Sequence, residues 1–318
     1  MKNITRLVIL CLAVLSFAGH AHNVTLPKAI KDMSLQKVTD NVYVVHGIHA
    51  MPDKDNQAFI SNSGIVVSDE GVVIIDTGGS LQIGEMLLKK ITEVTDKPVI
   101  AVFNTHLHGD HWLGNAAIRK AYPDARIYAH ERAIERLQNG EAEQWLDIFM
   151  QATDGTIEGT QIVLPDTALK GGETIEAAGK SFNIHHTGHA HTDNDIMIEY
   201  PQRKTLFAGD IVIYGSTVSG ARPEDFSATG QISAVEYALE LPVDIYVPGH
   251  GPTGGREIPE ATKRFLQILY QSVQRYYDEG LADFEMRDQV ADDLAEFSDW
   301  SGFDQIGRLV SFVYQQVE

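Results

Sequence analysis

Three histidines and an aspartate fall within six residues at His106-Leu107-His108-Gly109-Asp110-His111. They follow the apolar run Pro98 to Phe103, which reads as a strand buried on both faces, and they precede a helical stretch. In α/β proteins, ligands collect at the carboxyl ends of strands. A loop there can turn His106 and His108 toward one point and Asp110 and His111 toward a second point nearby. Neutral imidazole and carboxylate form the ligand set that zinc prefers, and iron and manganese also accept it. The chain has 13 histidines, and their placement matters more than their number.

Further ligand-type residues stand singly, each just past an expected strand. His191 lies in Gly188-His189-Ala190-His191-Thr192-Asp193-Asn194-Asp195, with His185, His186 and His189 as competitors for the same role. Asp210 ends Leu206-Phe207-Ala208-Gly209-Asp210, and His250 ends Val247-Pro248-Gly249-His250. A glycine before a ligand removes Cβ crowding and lets backbone approach a metal closely. With the first cluster these residues make seven ligands, enough for two metal ions.

The elements that must position them alternate in type. Asn41 to His46, Gln57 to Ser68, Val72 to Asp76 and Pro98 to Phe103 read as strands, and Gly47 to Asn56 as a loop. Ser80 can cap a helix over Leu81 to Thr95. A short helix is expected over Trp112 to Ala121, a strand over Arg126 to Ala129, and two short helices after it. The second half offers strands at Gln161 to Leu164, Glu173 to Ile184 and Asp244 to Val247, and a hairpin-like pair at Ile196 to Tyr200 and Thr205 to Ala208. A helix is expected over Gln231 to Glu240. Ile258 to Asp278 is a long amphipathic helix with Ala261, Phe265, Ile268, Leu269 and Val273 on one face, and a helical tail runs on to residue 318. The halves share a plan, and no long Pro/Ser linker divides them. The expectation is one α/β unit, residues 22–318, with two sheets flanked by helices, a core over about 41–255 and a tail over 258–318.

Composition narrows the partners. The chain of 318 residues carries 25 Lys and Arg against 44 Asp and Glu, a net charge of −19. That balance argues against nucleic acid or an anionic membrane surface and leaves a small-molecule substrate. Lys2 and Arg6, the apolar run Leu7 to Phe17, and Ala18, Gly19 and Ala21 make an expected signal peptide cleaved after Ala21. The protein is therefore expected to be exported, periplasmic or secreted. Cys11 is the single cysteine, so the processed chain has no disulfide, thiolate ligand or cysteine nucleophile. No later window reaches the ~18 apolar residues that a membrane span needs.

The set His106-x-His108-x-Asp110-His111, then His191, Asp210 and His250, resembles the metallo-β-lactamase superfamily over about Asn41 to Thr253. The resemblance implies a four-layer αβ/βα sandwich of two facing mixed sheets. It implies that His106, His108 and His191 hold one zinc, that Asp110, His111 and His250 hold a second, and that Asp210 bridges them. A water or hydroxide between the metals would be the nucleophile. His191 is chosen over its neighbours because Gly188-x-x-His191-Thr192-x-x-Asp195 fits the family pattern, with Asp195 as a carboxylate that orients a ligand imidazole. Asp76 matches the family's strand-end aspartate, a hydrogen-bonding residue. Class B β-lactamases carry Cys or Ser at the place of Asp210. A bridging Asp is usual in the superfamily's thioesterases, lactonases, phosphodiesterases, alkylsulfatases and iron-dependent redox members. The implied activity is dinuclear zinc hydrolysis of a small ester, thioester, lactone or related bond. The alternatives are a β-lactamase-type amide hydrolase and an iron-dependent redox member.

Beyond the ligands, Asp110, Asp210 and Tyr214 are the expected catalytic residues, with Tyr214 donating to a developing oxyanion. Arg222 is a candidate for a substrate carboxylate. His49, Met51 and Asp53 lie on an expected flap, and Trp112 is expected in the core. The oligomeric state is left open.

Overall fold

The computed structural model describes residues 33–217 and 222–318, so the expected signal peptide lies outside the described residues. The first sheet contains β1 (Gln36–Thr39), β2 (Val42–Val45), β3 (Ser63–Val67), β4 (Val72–Ile75), β5 (Val99–Phe103), β6 (Arg126–His130) and β7 (Thr167–Leu169) in sequence order. The second contains β8 (Thr174–Ala177), β9 (Lys180–His185), β10 (Met197–Tyr200), β11 (Thr205–Ile213) and β12 (Ile245–His250), ordered β12-β11-β10-β9-β8. Both sheets are mixed. β4, β5, β6 and β7 run parallel, as do β11 and β12, and the other pairs are antiparallel.

The apolar run of β4 is explained by its two neighbours. Side chains alternate across a strand. Val73 and Ile75 enter the core between the sheets, whereas Val72 and Ile74 pack with Ile83, Met86 and Leu87 of the helix Leu81–Ile91. On the far side, Ala234, Val235 and Ala238 of the helix Ala228–Glu240 cover Leu206, Ala208 and Tyr246. Four layers result: helix, sheet, sheet, helix. The middle seam is aromatic. Phe103 of β5 stacks on Tyr128 at 5.0 Å and meets Phe182 of the opposite sheet at 5.5 Å. The helices Glu257–Asp278, Arg287–Asp293 and Ile306–Val317 form a further cluster with Ile213 and Phe226.

Some expected elements are shorter or broken, each for a local reason. Of Gln57 to Ser68, only Ser63–Val67 is strand. Gln57 and Ala58 sit at φ of 50° and 62°, in the left-handed region. Ser61 donates to the Asp110 carbonyl, and the Asn62 amide donates to the carbonyls of Pro248 and Gly251. The Trp112–Ala121 stretch is two helices, Gly109–Trp112 and Asn115–Ala121. Gly114 separates them because its backbone presses on Thr77, where a Cβ would lie 2.0 Å from the carbonyl oxygen. The helix from Leu81 stops at Ile91, short of Thr95. Glu173 to Ile184 folds as the hairpin β8–β9. Gln161 to Leu164 is irregular, and the edge strand forms after Pro165 instead. A proline cannot donate to a ladder. β1, short and polar, had no periodic signal.

Phe103 is fully buried and joins the sheets, so truncating it opens a cavity. Phe103→Ala is expected to lose about 3–5 kcal/mol of stability. The denaturation midpoint reads this directly, and a loss below about 1 kcal/mol would contradict the seam described here.

Candidate metal centre

The ligands come from β5 of the first sheet and from the adjacent strands β11 and β12 of the second. β5 delivers the loop that carries His106 and His108, and the short helix Gly109–Trp112 carries Asp110 and His111. Asp210 lies within β11 and His250 ends β12. Close approach of these strands requires Gly249, where a Cβ would lie 1.9 Å from Oδ1 of Asp210.

These side chains fall into two buried groups. His106, His108, His191 and Asp210 form one, and Asp110, His111 and His250 form the other; within each group the ligand atoms lie within 4.8 Å of one another. In the first, Nδ1 of His108 is 3.0 Å from Nε2 of His191. Oδ2 of Asp210 is 3.3 Å from Nε2 of His191 and 3.9 Å from Nε2 of His106. In the second, Oδ2 of Asp110 is 3.3 Å from Nε2 of both His111 and His250. Asp210 also reaches this group, with Oδ1 at 3.3 Å from His111 and Oδ2 at 3.3 Å from His250.

Partners behind the ligands fix which nitrogen faces inward. Asp76, at φ 58°, accepts from the Thr105 amide and hydroxyl at 2.8 Å each and lies 2.8 Å from Nδ1 of His111. Because Thr105 donates to Asp76, its oxygen is left to accept from Nδ1 of His106 at 3.1 Å. Nδ1 of His250 is 2.8 Å from the Ile60 carbonyl. Each of these contacts leaves an Nε2 for the centre, and those of His106 and His111 are buried without a hydrogen-bond partner, as is Oδ1 of Asp210.

The electrostatics call for a cation. Burial alone would raise Asp110 and Asp210, yet His111 beside Asp110, and His250 and His111 beside Asp210, hold both carboxyls well below the usual range. Burial keeps His106 neutral, and it lowers His191 to about 3 against the pull of Asp210; neutral imidazole is the ligand form. Burial also opposes charge on His250, but Asp210 and Asp110 push it up to about 10. His111 is raised in the same way by Asp110 and Asp210. The carboxylates thus draw positive charge onto imidazoles that would otherwise be neutral. A metal ion among them supplies that charge, and the nitrogen and oxygen donor set fits zinc, iron or manganese.

The competing histidines are occupied elsewhere. His185 contacts Glu199 at 2.9 Å and the Tyr237 hydroxyl at 2.8 Å. His186 stacks on His130, and Nε2 of His189 meets the Asp225 carbonyl at 2.5 Å. Asp195 does not orient a ligand imidazole; its carboxylate accepts from the amide and hydroxyl of Thr192. Burial pushes Asp195 up to about 8. Tyr214 packs its ring against Trp300, 5.7 Å away, and does not line the cleft over the metal groups. Met51 and Arg222 do line it, whereas Asp53 caps a turn through the amides of Asp55 and Asn56. Trp112 is fully buried.

Two functional neighbours were not visible in the sequence. Trp145 sits 4.8 Å from the His108 ring, with the Arg222 guanidinium 4.2 Å over its own ring. Asp225 lies 3.6 Å from Nε2 of His108 and 2.6 Å from Arg136. Burial opposes its charge, but His108 and Arg136 lower it to about 2. Asp225 follows Arg222-Pro223-Glu224, a stretch with no periodic pattern, so only its place in space connects it to His108.

The family description metallo-beta-lactamase superfamily matches residues 56–250, and the chain belongs to this superfamily. It is 22% identical over 256 residues to metallo-beta-lactamase type 2 of Bacteroides fragilis, across 78% of this chain and 91% of that protein. It is 29% identical over 133 residues to a hydroxyacylglutathione hydrolase of Synechococcus sp., across 42% of each. The structure of an inverting sec-alkylsulfatase from Pseudomonas sp. superposes with a TM-score of 0.67 at 19% identity, covering 89% of this chain and 50% of that one. That coverage is wider than the residues 56–250 matched by the family description.

Replacing a ligand and replacing its neighbour separate the roles. His191→Ala is expected to lose bound metal and His189→Ala to keep it, as read by metal content per chain; the reverse would overturn the choice of ligand. Asp76→Ala should weaken one metal about 10–100-fold in a chelator competition, because His111 loses its anchor.

Proposed function

We propose that the chain is a dinuclear zinc hydrolase of a small ester, thioester, lactone or related bond. The observation that carries this reading is Asp210, whose carboxylate lies 3.3 Å from His191 of one group and 3.3 Å from both His111 and His250 of the other. A carboxylate so placed can join two cations. Similarity to a hydroxyacylglutathione hydrolase and to an alkylsulfatase fold supports hydrolysis in general.

In this reading His106, His108 and His191 hold the first zinc, Asp110, His111 and His250 the second, and Asp210 belongs to both. When bound, the pair of ions supplies Lewis acidity toward the scissile group and a nucleophile drawn from water near neutral pH. The chain's part is positioning. Asp76, Thr105 and the Ile60 carbonyl hold three imidazoles with Nε2 inward, so little reorganisation is needed when substrate arrives. Gln231 donates to the Asp210 carbonyl at 2.7 Å and fixes the backbone beneath the bridging carboxylate. Trp145, Phe149 and Met51 make the cleft wall apolar, which limits water around the reacting groups. Lys2, Arg6 and the run Leu7 to Phe17 support export, which N-terminal sequencing of protein recovered outside the cytoplasm tests; a chain beginning at Met1 would contradict it.

The decisive experiment is initial rates of the zinc-loaded chain on a thioester, a lactone, an aryl ester, a phosphodiester, a sulfate ester and a β-lactam. Preference for an acyl bond supports the proposal, and silence across the set overturns it. Asp210→Ala should reduce the rate by more than about a hundredfold, since losing even an outer partner of a ligand costs 10–100-fold. Full activity in that variant would remove the bridging role.

A further inference from the structure

The region around His250 has two chambers of similar size, one with mainly apolar walls and one richer in hydrogen-bonding side chains. One, about 260 Å³, is walled by Met51, Ile60, Trp145, Ile148 and Phe149 and reaches His108, Asp110, Asp210 and His250. The other, about 230 Å³, is lined by the polar His49, Ser216, Thr217, Ser301, Asp304 and Gln305, with Leu309 and Phe312 among its walls. Met51, His250 and Arg308 belong to both, so they stand where the chambers meet. Ser301, Asp304, Gln305 and Arg308 come from the helical tail, which builds much of the polar chamber. Ile148 and Met51 are 46% and 51% exposed, and each presents apolar surface at the mouth of the first chamber.

We infer that the substrate is an ester or thioester of opposed polarity, with an aliphatic or aryl acyl group and a polar, hydrogen-bonding alcohol or thiol. This rests on the hydrolase reading and adds to it which end goes where. The attacked carbonyl must lie where both metal groups are reached, and only the apolar chamber touches residues of both. The acyl chain therefore lies along Ile148 and Phe149. The polar chamber meets the centre only at His250, past the carbonyl, where the departing group must lie. In the reaction a water oxygen bonds to the acyl carbon as the carbon–oxygen or carbon–sulfur bond breaks. The leaving oxygen or sulfur takes one proton, and the carboxylic acid releases the other on ionising.

Two constitutional isomers test the orientation: 2-hydroxyethyl hexanoate, with an apolar acyl group and polar alcohol, and hexyl glycolate, with the reverse. Each rate with the zinc-loaded chain is divided by that isomer's alkaline hydrolysis rate. The hexanoate should be favoured by about tenfold or more, which burial of two methylenes supplies at roughly fourfold each. Ile148→Glu, at an exposed helix position that tolerates charge, should collapse this preference toward one. S-hexanoyl N-acetylcysteamine against its acetyl counterpart gives the thioester arm, with the same expected gain. Octanamide binding to the metal-free chain, measured by calorimetry, should weaken several-fold in Ile148→Glu. Turnover of both isomers at equal normalised rates, or preference for the glycolate, overturns the two-chamber assignment while leaving the hydrolase intact. No turnover of either isomer or of the wider substrate set, with octanamide still bound through Ile148, sinks the hydrolase and with it this proposal.

Discussion

Burying Asp110 and Asp210 side by side is the constraint on which the rest depends. Ionised carboxylates out of water are costly unless paired. Here each is ringed by imidazoles, and the groups behind the rings fix how they point. Asp76, Thr105 and the Ile60 carbonyl take the outer nitrogens of His111, His106 and His250, and Asp225 stands behind His108. Among the described residues, the inner nitrogens of His106 and His111 have no hydrogen-bond partner. A fold that assembles so many acceptors around two anions is built around positive charge. Both sheets, the Gly249 contact and the left-handed Asp76 serve that arrangement.

The centre was legible in the sequence because its residues are rare in combination and follow expected strands, although β11 runs on past Asp210 to Ile213. The strand reading of Pro98 to Phe103 was enough to place His106 to His111 just past the sheet, and its apolar run foretold a sheet packed on both sides, which holds from Ala101 to Phe103 although Ile100 is exposed. What stayed hidden depends on contacts distant in sequence. Asn62 looked like part of a strand, but its amide is used by carbonyls near residue 250. Asp225 lies in a segment without periodicity, and Trp145 reads as one more apolar position of an amphipathic helix. Asp195 followed the family spacing, yet the turn at Thr192 consumes its carboxylate. Tyr214 was near Asp210 in sequence, but the backbone carries its ring toward the tail and Trp300.

The tail changes how the cleft is understood. Its helices pack on Ile213 and Phe226, and its 301–312 segment reaches back to the edge of the centre at His250. The apolar wall comes from the helix Ala142–Ala152 and the loop after β2, whereas the polar wall comes from the tail and the residues after β11.

The bond between the Asn62 amide and the Pro248 carbonyl links positions 186 residues apart, and it ties the segment that enters β3 of one sheet to the last strand of the other. Neither half of the chain holds a full ligand set, so the cage exists only after the halves dock. Contacts of such high sequence separation form slowly. Until they form, the chain offers scattered histidines with weak hold on any ion. A metal ion bound across the two groups would hold together the halves that had to meet before it could bind.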